Sequence, residues 1–375
     1  MHSLARALMG WYRKNKRDLP WRGSRDPYAV WVSEVMLQQT RAETVVPYYT
    51  RWMQRFPSLP SLAEASEADV LRLWEGLGYY RRALALRQGA RRVMQEYEGR
   101  LPRDAEALRR LPGIGPYTAA AVAALAFGRD EVALDGNLRR VLSRLMNLDI
   151  DPRRPEGHRR LLGFATGLLP PGRAADFNQA LMDLGSQVCL AREPRCGTCP
   201  LQSGCLAHRA GVEAERPVRA RARAVPRRTA AAGVLRRHGR VLIAQRPPGQ
   251  LLGGLWEFPG GKQRARESVR ACLRRELLEE LGVHVAVGEP LAQVRHAYSH
   301  FSVIVHAFEC RLVRGRPTAR EHTAIRWVAL SRLPAYPMGK VARVIARSLA
   351  QPRGSRGIEP GRRRARRGSV AGSSP

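Results

Sequence analysis

The chain lacks any apolar run that approaches the ~20 residues of a membrane-spanning helix, so we expect a soluble protein without a membrane partner. Its first residues also lack the pattern of a secretory signal peptide, which favours a reducing, cytoplasmic location and argues against disulfides. Lysine is scarce: the 375 residues contain only Lys14, Lys16, Lys262 and Lys340. Nearly all of the basic charge is therefore arginine, as a GC-rich genome would produce.

Acidic residues are also scarce, because 32 aspartates and glutamates face 65 lysines and arginines, and the formal net charge is +33. Codon bias explains the choice of arginine over lysine, but it does not explain this excess of positive charge. The excess indicates a polyanionic partner, most simply a nucleic acid whose phosphates the basic side chains neutralise. The length suggests two domains with ample core.

Four of the six cysteines lie close together, at Cys189, Cys196, Cys199 and Cys205. Thiolates this near to one another in sequence can converge on one metal centre. A structural zinc site is the main alternative, but zinc ribbons normally use two Cys-x2-Cys pairs, and only Cys196 and Cys199 form such a pair. The spacing therefore favours an iron–sulfur cluster over zinc.

The chain changes character near its middle. Residues 1–208 are predicted as helices joined by short loops, and residues 209–228 as a basic linker. From residue 229 the pattern predicts a strand–turn–strand unit, a helix at 267–281 and strands near 291–295, 302–308 and 323–328. The second domain, 229–350, is therefore expected to be α+β, and the arginine-rich tail 351–375 is expected to be disordered.

A glycine-containing turn, Leu111-Pro-Gly-Ile-Gly-Pro116, lies between helical patterns at 104–111 and 117–126. Gly113 and Gly115 permit a tight hairpin whose backbone N–H groups, at the start of the next helix, can bind a phosphate. An ordinary helix–helix turn is the alternative interpretation of this segment taken alone.

Together, LPGIGPYTAAAV, ALDGNLRRV and the four cysteines resemble the helix-hairpin-helix DNA glycosylase superfamily, in the iron–sulfur branch that contains endonuclease III. The segments SEVMLQQTRAETVVPYY (33–49) and WEGLGYYRRA (74–83) narrow the resemblance to the adenine DNA glycosylases. It covers residues 4 to about 208 and implies an all-α domain with a 4Fe–4S cluster in the loop 189–205. It also implies a monomeric, nucleoid-associated bacterial-type enzyme that removes adenine from A·8-oxoguanine or A·G mispairs in duplex DNA.

Cleavage of an N-glycosidic bond needs an acid for the leaving base and a carboxylate facing the cationic sugar. Glu34 shares a helical face with Val30, Trp31 and Leu37, and burial among apolar side chains favours a protonated carboxyl. The resemblance makes Glu34 the acid that protonates adenine at N7. The alternative is a helix carboxylate that reaches solvent.

Asp135 precedes a helix-like stretch, 136–148, and aspartate is a favoured N-cap residue. The resemblance also implies that Asp135 stays ionised and stabilises the sugar cation, by its charge or by transient covalent attachment. Both roles can coexist, because a helix N-terminus favours an anion. Asn137 is expected to orient this centre.

Tyr117 stands two residues after LPGIG, where the lyases of the superfamily have a lysine that forms a Schiff base with the sugar. A phenol cannot form this intermediate. We therefore predict a monofunctional glycosylase that uses water as the final nucleophile. The main rival within the superfamily is an endonuclease III-like pyrimidine glycosylase and lyase, which Tyr117 opposes.

Further residues are expected to contact DNA. By resemblance, Gln39 and Tyr79 lie at the lesion, one filling the vacated base stack and one wedging beside 8-oxoguanine. Gln38 and Tyr80 are their neighbours in the same two motifs. Arg192 and Arg195, in the loop between the first two cysteines, can present positive charge to phosphates.

In the second half, the segment from Gly261 to Val283 matches the whole Nudix signature and follows WEFPGGK. It resembles the Nudix hydrolases that cleave oxidised nucleotides. Glu276, Glu279 and Glu280 stand at one end of a helix and can hold Mg²⁺ against a diphosphate. Mg²⁺ is expected only if this box is active.

The segment RHAYSHFSV resembles the recognition loop of the adenine DNA glycosylases, whose carboxy-terminal Nudix-like domain reads 8-oxoguanine. Tyr298, Ser299 and His300 match its Phe-Ser-His, with a tyrosine in place of the phenylalanine. Ser299 would hydrogen-bond the oxidised base, and His300 the nearby backbone. Recognition is the preferred role of this domain, and Mg-dependent hydrolysis of oxidised nucleotides is the alternative.

Overall fold

The computed structural model of the protein describes residues 2–219, 225–298 and 300–350. It divides the chain into two compact units, Met1–Arg223 and Ala224–Pro375. The predicted tail 351–375 and Ser299 lie outside the described residues. Among the residues described, no helix combines the length and the apolar character needed to cross a membrane.

The first unit is helical. Its helices are α1 (His2–Asn15), α2 (Pro27–Leu37), α3 (Ala42–Arg55), α4 (Leu59–Glu64), α5 (Glu67–Trp74), α6 (Arg81–Glu96), α7 (Ala105–Arg109), α8 (Pro116–Phe127), α9 (Gly136–Leu145), α10 (Pro155–Leu168), α11 (Ala174–Gln187) and α12 (Leu206–Arg209). Short 3-10 helices occur at Cys196–Thr198, Gln202–Gly204 and Glu213–Glu215.

Local sequence explains where several of these helices begin. Proline opens α2, α8 and α10, at the position where a missing N–H costs nothing and the fixed φ suits a helix. The side chains of Asp26, Ser66, Asp104 and Asp135 cap α2, α5, α7 and α9 by accepting a backbone N–H.

Two helices in this unit are buried on nearly all sides. Nine consecutive residues of α2, from Tyr28 to Met36, are buried, and so are seven of α8, from Thr118 to Ala124. Such helices belong in the interior because their side chains are apolar around the whole circumference. Helices α2 and α8 pack on each other, which brings the start of α8 beside the middle of α2.

The second unit is built on a six-stranded sheet. Its elements are β1 (Arg227–Arg237), β2 (Arg240–Gln245), β3 (Trp256–Glu257), α13 (Val269–Leu281), β4 (His284–Ala297), β5 (Ser302–Arg314), β6 (Ala324–Ala329), a 3-10 helix (Leu330–Ala335) and α14 (Lys340–Ala350). The strand order is β3-β2-β1-β5-β4, and β6 also pairs with β2. The pair β1–β5 is parallel and the other strand pairs are antiparallel.

The central strand β1 is buried on both faces. Ala231 and Leu235 pack with residues of α13, whereas Ala232 and Val234 belong to the core that α14 covers. Successive side chains of a strand point to opposite faces, so one helix lies on each side of the sheet. The predicted α+β character of this half agrees with this mixed sheet.

The segment predicted as a linker, 209–228, differs from its prediction at both ends. Arg209 ends α12, a 3-10 helix forms at Glu213–Glu215, and β1 begins at Arg227. The buried Arg144 side chain explains the ordered segment around this 3-10 helix, because its Nε donates to the carbonyl oxygens of Glu213 and Arg216 at 2.8 and 3.1 Å. Local composition could not reveal a partner so distant in sequence.

Candidate active site

Glu34 lies in the middle of α2 with 3% of its surface exposed. The hydroxyl of Tyr117, in the first turn of α8, donates a hydrogen bond to Glu34 Oε2. Burial raises the pKa of Glu34 to about 7, while the Tyr117 hydrogen bond opposes the rise. A carboxyl with this pKa carries its proton for much of the time at neutral pH, which suits a general acid.

Asp135 is the N-cap residue of α9. Its Oδ1 accepts from the backbone N–H of Leu138 at 2.6 Å, and its Oδ2 accepts from Asn137 Nδ2 at 2.9 Å. Burial raises the pKa of Asp135, whereas these hydrogen bonds and the charge of Arg140 lower it. The charge of Asp135 also contributes to the raised pKa of Glu34, so the two carboxyls lie within electrostatic reach of each other.

The Asp135 centre is connected to the cysteine loop through Asn137 and Arg140. Arg140 Nη2 donates to Asn137 Oδ1 at 2.8 Å, and Arg140 Nε donates to the carbonyl oxygen of Cys189 at 2.8 Å. Arg140 Nη2 also donates to the Gly185 carbonyl at 2.6 Å. Asn137 thus hydrogen-bonds Asp135 and is itself held by Arg140, which the sequence did not single out. Its role in orienting the centre stays a prediction.

Glu34 also lines a cavity whose other polar residues were missed from the sequence. The lining residues include Arg22, Gln179, Trp21, Leu37, Leu125 and Met182. Arg22 donates twice to the fully buried Asp183 carboxylate, at 2.5 and 2.7 Å, and Arg17 donates to it at 2.7 Å. Arg22 and Asp183 lie 161 positions apart in the chain, so only the fold could bring them together.

The four clustered cysteines, Cys189, Cys196, Cys199 and Cys205, line a single pocket and are half-buried. Arg144 lies against this pocket and its Nη1 donates to Cys189 Sγ at 3.3 Å. Four soft sulfur ligands around one pocket fit the Cys₄ ligation of a 4Fe–4S cluster. His208 and Glu213 hydrogen-bond each other at 3.1 Å beside Cys196. Arg192 and Arg195 are exposed in the same loop.

The predicted lesion residues divide into two exposed and two supporting side chains. Gln39 and Tyr79 are exposed, and both have left-handed backbones, with φ of 59° and 47°. Gln38 is half-buried and donates to Thr118 Oγ1 at 3.0 Å. Tyr80 is buried and its hydroxyl accepts from the Gly76 N–H at 3.4 Å. The contact of Tyr80 with the lesion stays a prediction, and its side chain is buried in this structure.

The predicted hairpin forms between α7 and α8. Gly113 has a φ of +77°, and a Cβ there would lie 2.6 Å from Ala85 Cβ, so both backbone and space require glycine. Gly115 is the N-cap residue of α8, and the first turn of a helix offers backbone N–H groups to an anion.

In the second unit, the three Nudix glutamates have different partners. Glu276 and Glu279 each accept a hydrogen bond from Arg275 at 2.8 Å, and Glu279 also pairs with Arg264 at 3.2 Å. Glu280 is buried and accepts from the Gly260 N–H at 2.9 Å. Burial raises the pKa of Glu280 to about 7. Carboxylate oxygens suit Mg²⁺, but two of these three groups are already paired with arginine.

A polar cluster that the sequence analysis missed lies beside Glu280. Arg246 pairs with Glu257 at 2.6 Å, and His322 Nε2 lies 3.4 Å from the same carboxylate. The charges of His322 and Glu257 both act on the pKa of Glu280. Glu257 stands in the WEFPGGK segment, which could have identified it, whereas His322 comes from the loop before β6 and has no local motif.

The recognition loop is described at Tyr298 and His300. The Tyr298 N–H donates to the Phe301 carbonyl at 2.8 Å, and the Tyr298 ring contacts those of His296 and Phe301 at centroid distances of 4.5 and 4.7 Å. Burial raises the pKa of Tyr298, and the charges of Glu257 and Arg246 also act on it. Tyr298 is half-buried, and His300 is exposed.

Comparison with known proteins adds to this geometry. A family model described as HhH-GPD superfamily base excision DNA repair protein matches residues 32–163, and a NUDIX domain model matches residues 230–348. The adenine DNA glycosylase of Homo sapiens is 37% identical over 385 residues, which cover 86% of this chain and 69% of the relative. That of Mus musculus is 37% identical over 375 residues, which cover 86% and 73%.

Among solved structures, a thermostable thymine-DNA glycosylase is similar with a TM-score of 0.51 and 31% sequence identity. The match covers 55% of this chain and 95% of that one. The two family models fall in the two units in the order expected from the sequence, a helical glycosylase fold followed by a Nudix-like fold.

Proposed function

This chain belongs to the adenine DNA glycosylase family and is a DNA N-glycosylase of base excision repair; from that premise we propose that it hydrolyses adenine from A·8-oxoguanine and A·G mispairs. Glu34 acts as general acid and Asp135 as the carboxylate that faces the sugar. The observation that carries this proposal is the buried Glu34, whose pKa is raised to about 7.

Protonated Glu34 gives its proton to the extruded adenine at N7. The electrons of the N-glycosidic bond then leave with a neutral base rather than an anion. The sugar left behind is cationic, and the carboxylate of Asp135 stabilises it. Asn137 and the α9 N-terminus hold that carboxylate by the hydrogen bonds described above.

Water completes the reaction at the sugar carbon. Tyr117 has no amine, and its hydroxyl is engaged with Glu34, so it supplies neither a Schiff base nor strand cleavage. The enzyme is accordingly monofunctional. Borohydride added during turnover should trap no covalent enzyme–DNA complex; efficient trapping would favour the endonuclease III-like alternative.

Cys189, Cys196, Cys199 and Cys205 would hold the 4Fe–4S cluster that the family implies. Once bound, the cluster supplies a charged cross-link for the loop 189–205 rather than a reacting group. The exposed Arg192 and Arg195 in that loop contact DNA phosphates, and so do the backbone N–H groups of the hairpin at Gly113 and Gly115.

The Nudix-like unit reads the base opposite adenine. Tyr298, Ser299 and His300 form the loop that contacts 8-oxoguanine, and the enzyme works as a monomer on duplex DNA. The hydrogen bond from the Tyr298 N–H to the Phe301 carbonyl and the exposed position of His300 support this role. Arg275 donates hydrogen bonds to two of the three box glutamates, Glu276 and Glu279, and this pairing favours recognition over metal-dependent hydrolysis.

The test is the release of free adenine from a 30-base-pair duplex under single-turnover conditions. A·8-oxoguanine and A·G duplexes should yield adenine and an intact abasic strand, and A·T should yield almost none. Release of thymine or oxidised pyrimidines with strand cleavage, and no release of adenine, would overturn the proposal.

A second activity is supported by the intact Nudix signature from Gly261 to Val283. It would be Mg-dependent hydrolysis of 8-oxo-dGTP at Glu276, Glu279 and Glu280. The assay adds 8-oxo-dGTP and Mg²⁺ to wild type and to Glu279→Gln. Turnover that this substitution abolishes would establish the hydrolase, whereas no turnover in wild type would leave recognition as the function of the unit.

A further inference from the structure

Arg82, near the start of α6, binds the backbone of two separate loops with one guanidinium group. Its Nη1 donates three hydrogen bonds, of 2.7, 3.2 and 2.7 Å, and its Nη2 donates two, of 3.3 and 3.1 Å. The acceptors are the carbonyl oxygens of Val35, Met36, Gln38, Leu77 and Gly78. The first three belong to the end of α2 and the last two to the loop between α5 and α6.

Both loops carry one of the two exposed lesion residues directly after a carbonyl that Arg82 binds. Gln39 follows Gln38, and Tyr79 follows Gly78. Both Gln39 and Tyr79 have a positive φ, a conformation that side chains other than glycine adopt rarely and that the surrounding structure must maintain.

Arg82 also contacts the aromatic side chain of one of these residues. Its guanidinium carbon lies 5.5 Å from the ring centroid of Tyr79 and 5.2 Å from that of Trp74. Trp74 Nε1 in turn donates to the Gly78 carbonyl at 2.9 Å. Burial lowers the pKa of Arg82 to about 10, which still leaves the group charged at neutral pH. Its charge therefore also stabilises the carbonyl end of α2.

We propose that Arg82 is a positioning residue for base extrusion: it holds the Gln39 and Tyr79 turns in the geometry that fills the stack vacated by adenine. This inference rests on the proposed function, in which Gln39 and Tyr79 replace lost stacking. Arg82 touches neither Glu34 nor Asp135 in the contacts described, so it acts before the chemical step.

The experiment separates extrusion from chemistry. Glu34→Gln blocks excision, and 2-aminopurine placed opposite 8-oxoguanine fluoresces when it leaves the stack. In this background, Arg82→Met should bind the duplex yet lose most of the fluorescence rise. Arg72→Met, which removes an exposed arginine of α5 paired with Asp69, is the control for loss of charge and should keep the full rise.

Excision kinetics with active Glu34 provide the second measurement. Misplacement of a positioned group by about 1 Å can cost about 10²-fold in rate, and we expect a loss of this order for Arg82→Met. A double-mutant cycle with Tyr79→Ala should show that the double variant loses less than the product of the two single losses. Multiplicative losses, or a normal fluorescence rise with slow excision, would overturn the positioning role.

A purely structural role is distinguished by stability and by a conservative variant. Arg82→Lys keeps the charge but cannot bind both loops at once, so it should retain the folded state and the iron–sulfur absorbance while losing extrusion. If Arg82→Met does not fold, Arg82→Lys replaces it in the double-mutant cycle with Tyr79→Ala. Normal extrusion by Arg82→Lys would contradict the inference, whereas normal excision by Glu34→Gln would contradict the proposed function instead.

Discussion

Two buried glutamates, one in each unit, have the same raised pKa and opposite surroundings. The pKa values of Glu34 and Glu280 are both raised to about 7, and burial is the largest cause of each rise. Glu34 meets a neutral hydroxyl, that of Tyr117. Glu280 instead lies near Glu257, Glu276 and His322 and accepts a backbone N–H. A raised pKa therefore identifies a carboxyl that can carry a proton at neutral pH. The groups around that carboxyl determine whether it can transfer the proton to a substrate.

Glu34 lines a cavity that also presents Arg22 and Gln179, and the proposed mechanism has Glu34 give its proton to a base there. Glu280 is enclosed by its own box, and its neighbour Glu276 is paired with Arg275. An intact signature in the second unit thus coexists with box carboxylates that are already paired with arginine.

The largest effect is expected for Glu34→Gln, which keeps the shape of the side chain and removes the proton. General acid catalysis contributes about 10²–10⁴-fold, and single-turnover excision should fall by this order while mispaired DNA still binds. Glu96→Gln is the control, because Glu96 is an exposed partner of Arg92 on α6. Normal excision by Glu34→Gln would remove Glu34 from the acid role.

Asp135→Asn should cause the second-largest loss of excision rate. Asparagine caps a helix as well as aspartate does, so the melting temperature should change little, while loss of the charge facing the sugar should slow excision by about 10²-fold. Asp104→Asn replaces the N-cap residue of α7 in the same way and should leave the rate unchanged. Equal rates for the two variants would mean that Asp135 is only a cap.

Tyr117→Phe should change the excision rate less than the first two substitutions, and the direction in which it shifts the pH–rate profile is diagnostic. The hydroxyl lowers the pKa of Glu34, so its removal raises that pKa and keeps the acid protonated to higher pH. A lost hydrogen bond is worth about 1 kcal/mol, so the rate at neutral pH should change by less than about tenfold. The alkaline limb of the pH–rate profile should move to higher pH, and Tyr97→Phe should not move it.

The smallest effect is expected for Glu280→Gln, on stability rather than excision. Folded Glu280 keeps its proton up to about pH 7, whereas an unfolded glutamate releases it near its ordinary value of 4.5. The free energy of unfolding therefore falls as pH rises through this window, and Glu280→Gln should lessen that fall. Millimolar Mg²⁺ should not raise the melting temperature; a rise that Glu280→Gln abolishes would instead favour the hydrolase.

Local motifs were enough to single out the three side chains that the proposed mechanism uses. Glu34, Tyr117 and Asp135 each stand in a short pattern, and each adjoins a helix that its own neighbours predict. The sequence could also predict the order of the two folds, since helical periodicity gives way to alternation near residue 229.

Contacts between distant segments could not be predicted in this way. Asp183 meets Arg22 across 161 positions, and Arg144 meets Glu213 across 69. Tyr79 and Tyr80 are adjacent in one motif, yet Tyr79 is exposed and Tyr80 is buried. This difference depends on packing, which only the structure provides. Arg82 belongs to the same class, because its five acceptors come from two loops.

The most direct test of the central claim is the pH dependence of the single-turnover excision rate on an A·8-oxoguanine duplex, between pH 5 and 9. In the proposed mechanism protonated Glu34 is the active form, and its pKa is about 7, so the rate should fall above an apparent pKa near that value. The residual rate of Glu34→Gln should not show this fall at alkaline pH. A wild-type rate that stays constant or rises through neutral pH would contradict the account.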